Sequence, residues 1–315
     1  MALINFDPTE YQIDFIGKRF TAFIASSFLM LVSITVLFLN GLNFGIDFTG
    51  GTLIEIRTEK SNPEIQDLRK ELNELKIGNI SIQEFGQPND LLIRLPQQEG
   101  GAQDQMAAID KIKESLENRY GQEGVTYRRV EYVGPQVGEE LKFAGVISVI
   151  LALGGILLYV SFRFELPFGV ASLIALFHDA IAILGLFALT QMEFNLSTVA
   201  ALLMIAGYSI NDTVVVFDRI RENLRKYKKK ALDDLFNFSV NQTLSRTIMT
   251  SLTTLLALCA LWVFGGEVIR GFVDALIFGI IIGTYSSIFV ASPVLLLMNI
   301  SRNPEDRSVT SGEEA

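Results

Sequence analysis

Three polar groups stand where an oily segment would otherwise run unbroken. In LSTVAALLMIAGYSINDTVVVFDRIREN, beginning at Leu196, Asn211 and Asp212 interrupt a mostly apolar stretch that turns basic only at Arg219. An ionised carboxylate in the body of a spanning helix costs roughly 2.5–3.5 kcal/mol on insertion scales. Counted back from Phe217, Asp212 lies about five residues in, roughly 7–8 Å deep, beyond the reach of its short side chain to water. Such a group either moves ions or makes a structural ion pair or helix–helix hydrogen bond. Tyr208, Asp212 and Val215 share one helical face, with Asn211 beside them.

The second group opens NQTLSRTIMTSLTTLLAL, where Thr243, Thr247, Thr250 and Thr254 recur at helical spacing beside Arg246. A hydroxyl stripe can hold water or bond a neighbouring helix. If this segment packs antiparallel to the one carrying Asp212, the carboxylate lies level with Arg246 to Thr250. Arg246 is then its partner, or an anchor that snorkels to the basic side. The third group is His178-Asp179, which contains the only histidine. Imidazole titrates near neutrality, so the pair is a possible proton relay; its alternative is a mutually satisfied polar knot that fixes packing. Asp274 is expected at an interface.

The elements that must position these groups follow from composition. Half of the 315 residues are hydrophobic and 19% are charged, against about a quarter in soluble domains. Mean hydropathy is +0.37. Apolar windows at 20–40, 142–161, 168–190, 197–217, 247–264 and 272–298 are each long enough to cross about 30 Å of hydrocarbon. Pro293 bends the last. Between Gly41 and Glu140 stand eighteen Asp/Glu against eleven Lys/Arg, whereas 218–246 holds eight Lys/Arg against four Asp/Glu, including RKYKKK. Basic short loops stay in the cytoplasm, so this pattern puts both termini inside and residues 41–140 outside. The expected organisation is a cytoplasmic N-terminus (1–19), helix 1 (20–40) as an uncleaved signal-anchor, and a periplasmic domain (41–140). Helices 2–6 (141–298) follow with a basic cytoplasmic loop at 218–246, then a disordered tail (299–315).

The outside segment is itself legible. TLIEIRT alternates as a strand, 62–76 is an amphipathic helix started by Pro63, and 79–86 and 90–96 are strands joined through Gln-Pro-Asn. A helix over 103–121 ends at Gly121, and 125–134 is a last strand. The order β-α-β-β-α-β is that of a ferredoxin-like split βαβ unit. GIDFTGG leaves the first span through Gly45, Asp47, Gly50 and Gly51, where glycine permits tight turns and close backbone approach. Gly279-x-x-x-Gly283 is a close-packing motif. Cys259, the only cysteine, reads as a small buried hydrophobe and excludes a thiolate metal site. No zinc ligand set, Walker sequence or Ser-His-Asp arrangement is found, so no metal, cofactor or covalent catalysis is expected. RKYKKK suits anionic membrane lipid rather than nucleic acid. No internal repeat stands out.

GIDFTGGTLIEI after the first span, His178-Asp179 in the third and GYSINDTVVVFDRIREN across the fourth carry a family resemblance. So do LSRTIMTSLTTLLAL opening the fifth span and GFVDALIFGIIIGTYSSIFVASP in the sixth. Together they resemble the SecF family of protein-export membrane proteins, related to resistance-nodulation-division transporters, over nearly the whole chain. The resemblance implies a partner, SecD, in a twelve-span unit of the bacterial inner membrane attached to the SecYEG channel, sometimes with YajC. It further implies that the proton motive force, or sodium in some members, helps draw a translocating polypeptide outward. Asp212 and Arg246, with Asn211 adjacent, are then the ion-coupling residues. Two other classes remain open at this point: a proton-driven exporter of small molecules or lipids, and a passive membrane scaffold.

Overall fold

The computed structural model describes residues 13–59, 64–298 and 300. The helix start at Pro63 and the expected tail lie outside them, except for Ile300, which is buried rather than disordered. In chain order the elements are α1 (Arg19–Asn40), β1 (Asn43–Phe44), a one-turn α2 (Ile46–Thr49), β2 (Gly51–Thr58), α3 (Ile65–Glu74), β3 (Ser81–Phe85) and β4 (Gln87–Leu95). Then come α4 (Ala102–Tyr120), β5 (Val125–Val133), α5 (Pro135–Arg163), α6 (Leu166–Thr190), β6 (Glu193–Phe194), α7 (Leu196–Lys226) and α8 (Leu232–Phe264). The last span is α9 (Arg270–Ser286), a π-helical turn (Ser287–Ala291) and α10 (Ser292–Leu297). Among the described residues, α1, α5, α6, α7, α8 and the α9–α10 run are six helices long and apolar enough to cross a membrane. The chain is thus a polytopic α-helical membrane protein with an α+β domain between its first two spans.

Two compact units divide the chain. One comprises Ser148–Met192 with the segments up to Leu42 and from Ser197 onward; the other is Asn43–Ile147 with Glu193–Leu196. In the helical unit the interior helices are α6 and the last span, each buried over 56% of its apolar window, against 11% for α5. Small residues bring the helices close. A Cβ at Gly185 would collide with Ser33 of α1, one at Gly279 with Ile205 of α7, and one at Gly283 would lie 3.0 Å from the Ser209 Cβ. Towards the Phe164–Phe217 end, a cluster of Phe164, Phe168, Phe217 and Phe236 fills the bundle, with Phe168 edge-on to Phe217 at 5.2 Å. The last span accommodates Pro293 through the π turn. The ring cannot donate to a carbonyl four residues back and would crowd it, so the backbone widens by one residue just before it.

In the α+β unit the sheet order is β3-β4-β2-β5, all neighbours antiparallel, which is the ferredoxin-like arrangement. Ile54, Ile56, Leu91 and Ile93 face α3 and α4, meeting Leu68, Leu72, Ile112 and Leu116 in a closed core. Burying each such side chain contributes about 1.5–3 kcal/mol. The β3–β4 turn differs from the expected Gln-Pro-Asn. It is made by Gly86 at φ +82°, and Gln87–Asn89 already belong to β4. Pro88 is tolerated because it lies in a register shift where it owes the ladder no hydrogen bond.

Two further differences follow from helix continuity. The segment 218–246, expected as a loop, is helical except for 227–231, because polar residues extend a helix as readily as apolar ones once it is nucleated. Cys259 is exposed on this chain rather than buried; it sits on the outer face of α8, where the surrounding solvent is itself apolar.

Candidate functional site

The polar groups singled out above converge within the helical unit, but not as one cluster. On α7, helical spacing turns Asp212 inward, 2% exposed, while Asn211 points outward. The Asp212 carboxylate lies against Thr250 and Ser251 of α8, with Arg246 acting on it only through space. Its Oδ2 has no hydrogen-bond partner among the described residues, and neither has Thr247 Oγ1, equally buried on α8. Buried polar atoms of this kind are rare and call for an account. The other hydroxyls of the α8 stripe are satisfied by their own helix: Thr243 donates to Ser239 O, Thr250 to Thr247 O and Thr254 to Thr250 O. Antiparallel α7–α8 packing is held by Asn223, whose amide donates to Ser239 Oγ at 2.8 Å and Gln242 Oε1 at 2.9 Å.

Arg246 is exposed and forms no ion pair among the described residues. With Asn211 it lines an open cleft of about 510 Å³ between α5, α7 and α8, together with Arg163, Asp218 and Arg219. The expected Asp212–Arg246 contact is therefore absent in this conformation. A single residue step on α7, about 100° around the helix, puts Asn211 in the cleft and Asp212 on the buried side.

His178 and Asp179 form a buried knot. His178 Nδ1 lies 3.1 Å from Asp179 Oδ1. Asp179 Oδ2 accepts hydrogen bonds from Ser209 Oγ at 2.6 Å and Ser286 Oγ at 2.8 Å. One carboxylate thus joins α6, α7 and the end of α9 at the π turn, and Ser209 lies one helical turn from Asp212. His178 Nε2 is buried without a partner among the described residues. Tyr208 reaches Ser251, and Ser251 pairs with Thr284 at 2.7 Å, tying α7, α8 and α9. Asp274 accepts from Trp262 Nε1 at 2.8 Å, with Arg270 over the indole.

The glycine-rich segment has a more specific place than a turn. Gly50 and Gly51 have φ of +69° and +110°, and a Cβ at Gly51 would stand 2.5 Å from the Leu95 carbonyl. Asp47 Oδ2 accepts from the Leu196 N–H at 2.9 Å, capping the first residue of α7. Gly45 N–H donates to Phe194 O at 2.9 Å, beside the parallel pairs Asn43↔Glu193 and Phe44↔Phe194 of β1 and β6. Sequence reasoning missed this ladder. The signal was a short repeat after α1 and α6, Leu42-Asn-Phe-Gly-Ile-Asp and Met192-Glu-Phe-Asn-Leu-Ser, too brief to stand out.

Comparison with known proteins gives the site a context. Residues 111–301 match the family model of the protein export membrane protein SecD/SecF C-terminal region, and 35–61 match the SecD/SecF GG motif. The chain is 49% identical over 304 residues to the protein translocase subunit SecF of Magnetococcus marinus, covering 96% of each. It is 46% identical over 290 residues to that of Rickettsia bellii, covering 92% of this chain and 94% of the relative. The crystal structure of SecDF, a translocon-associated membrane protein from Thermus thermophilus, aligns with TM-score 0.83 and 40% identity. That alignment covers 94% of this chain and 40% of the other, so the chain spans well under half of that longer protein.

Proposed function

This chain belongs to the SecF family of protein translocase subunits, and on that premise we propose that it pairs with SecD to couple the proton motive force to late protein export. The observation that carries the reading is Asp212: a nearly inaccessible carboxyl in a membrane helix, facing hydroxyls, with one oxygen unpartnered. A protonated carboxyl suits that pocket, because it can donate to the hydroxyl oxygens of Thr250 and Ser251, whose own protons go to Thr247 O and Thr284 Oγ1, without carrying charge into it. Loss of the proton there costs several kcal/mol unless the helices repack, bringing Asp212 towards Arg246 and the open cleft. The conformation seen is then one half of a two-state switch. One charge crossing 100 mV releases about 2.3 kcal/mol, enough to bias such a pair of packings.

Gly45, Asp47, Gly50 and Gly51 form the connection between this switch and the α+β domain, since Asp47 caps the helix that carries Asp212. The domain faces the periplasm and acts on the translocating polypeptide; both termini are cytoplasmic and the membrane is the bacterial inner membrane. SecYEG, and YajC where present, are the further partners. Apart from the O–H bond of the moving proton, no covalent bond is made or broken. His178 and Asp179 hold the helices around the switch, since the Asp179 carboxylate ties α6, α7 and α9 together.

The test compares Asp212→Asn and Arg246→Met in the SecD–SecF complex at normal abundance. Late translocation driven by the proton gradient is expected to fall by at least about ten-fold, a loss of about 1.4 kcal/mol in coupling. Unaltered gradient-driven translocation in Asp212→Asn would remove the coupling role, and loss of the complex itself would favour a scaffold.

A further inference from the structure

The short β1–β6 ladder and the four-stranded sheet belong to the same compact unit, and one side chain joins them. Arg94 stands on β4 with its guanidinium reaching off the sheet. Its Nη1 donates to Asn43 Oδ1 at 2.8 Å, on β1, and its Nη2 to Glu193 Oε2 at 2.7 Å, on β6. One rigid fork therefore holds both strands of the ladder. The two charged side chains are only 13% and 21% exposed, so bulk salt screens this pair less than a surface one. Gly45 leaves room for it, since a Cβ there would collide with the Glu193 carboxylate.

What this fork holds, besides β1, is β6, the strand that leads into α7. Glu193 is followed within three residues by Leu196, the first residue of that helix, held by Asp47, and Phe194 O is held by Gly45. From Leu196 the helix runs unbroken through Asp212 to Lys226, a separation of about 24 Å from Leu196 to Asp212 at 1.5 Å per residue. An α-helix is stiff along its axis, so a shift or rotation at Asp212 arrives at β6 with little loss. From β6 the tightest polar path to β4 is the Arg94–Glu193 pair. The backbone path from β1 to β2 passes Gly50 and Gly51, with φ of +69° and +110°, so it joins the ladder to the sheet through a glycine joint, whereas the fork is planar and rigid.

We propose that Arg94 is a positioning residue for energy coupling: it passes displacement of α7 to the four-stranded sheet through Glu193 and Asn43. This rests on the reading that Asp212 drives α7. Lysine should substitute poorly, because a single ammonium point charge cannot engage two strands in the fixed geometry of a planar fork.

The experiment uses the full SecD–SecF complex in proteoliposomes, measuring gradient-driven translocation and proton flux side by side. In Arg94→Ala and Glu193→Gln, at normal abundance, translocation is expected to drop by at least about five-fold while flux stays within about two-fold, the signature of lost coupling. Arg94→Lys should be intermediate, and the charge-swapped pair Arg94→Glu with Glu193→Arg should recover part of the loss. Two outcomes overturn the proposal: translocation and flux both unchanged, or both lost together, the latter marking a staple that only holds the fold. Absence of proton flux in the unmutated complex would instead defeat the reading of Asp212, whatever the variants do.

Discussion

At the scale of single residues, charge is placed very differently in the two units. Asp212 keeps an oxygen unpartnered in a hydroxyl pocket, whereas Asp90 in the α+β unit, equally buried, is saturated. Arg57 meets it through two hydrogen bonds of 2.6 and 2.8 Å, and Arg128 adds a third at 3.1 Å. The Arg57 hydrogen bonds, with the Arg128 charge beside them, hold the Asp90 carboxyl below its ordinary range against the opposing effect of burial. A carboxyl lowered on folding contributes stability that is full above its unfolded value, about 3.9, and is lost as pH falls through the lowered value. Amide exchange in β2 and β4, corrected for intrinsic rates, should therefore lose protection below about pH 4. In Asp90→Asn protection should already be weaker at neutral pH and nearly flat through that window. Protection that held in the unmutated protein down to strong acid would contradict this. On the proposed reading the unpartnered oxygen is the one that takes part in proton movement, and the saturated carboxylate is structural.

Between elements, close approach rather than charge sets the geometry. Gly283 lets α9 lie against Ser209, which in turn lets Ser209 and Ser286 share Asp179. Gly283→Leu should force α7 from α9, break the shared carboxylate and lower the stability of the helical unit by about 1–3 kcal/mol. Thermal unfolding in detergent measures it, and an unchanged midpoint would mean that α9 yields without cost. The π turn that begins just after Ser286 is a natural place for such yielding, since π turns interrupt the regular hydrogen-bond ladder and are frequent at functional sites. The β1–β6 ladder works oppositely. It is only two residues per strand, too short to persist by its own hydrogen bonds, and it is held by the Phe44–Phe48–Phe194 ring cluster, with centroids 5.9–6.0 Å apart, and by Arg94.

For the whole molecule, the distribution of charge predicts sidedness. With Cys259 replaced by serine, a cysteine at Gln122, in the exposed loop between α4 and β5, should react with a membrane-impermeant maleimide on intact spheroplasts. A cysteine at Lys229, between α7 and α8, should react only after permeabilisation. The reverse pattern would invert the topology and, with it, the direction of proton movement in the proposed switch. Among the described residues six helices can span a membrane, and the chain aligns with 40% of the longer SecDF chain; on the proposed reading the partner SecD supplies the remaining helices of the unit. On that reading, the cleft lined by Asn211 and Arg246 is where SecD would complete the switch.

Much was legible without coordinates. The six spans, the β-α-β-β-α-β order and the positions of Asp212, Arg246 and His178-Asp179 all follow from periodicity and from the expense of charge in hydrocarbon, which are local properties of the chain. What folding alone decided was facing. Asp212 turns to α8 and Asn211 to the cleft, Thr247 is orphaned where its neighbours bond their own helix, and Arg94 reaches two strands about fifty and a hundred residues away. Such choices depend on which surfaces meet, and contact between distant segments leaves no trace in the spacing of either one.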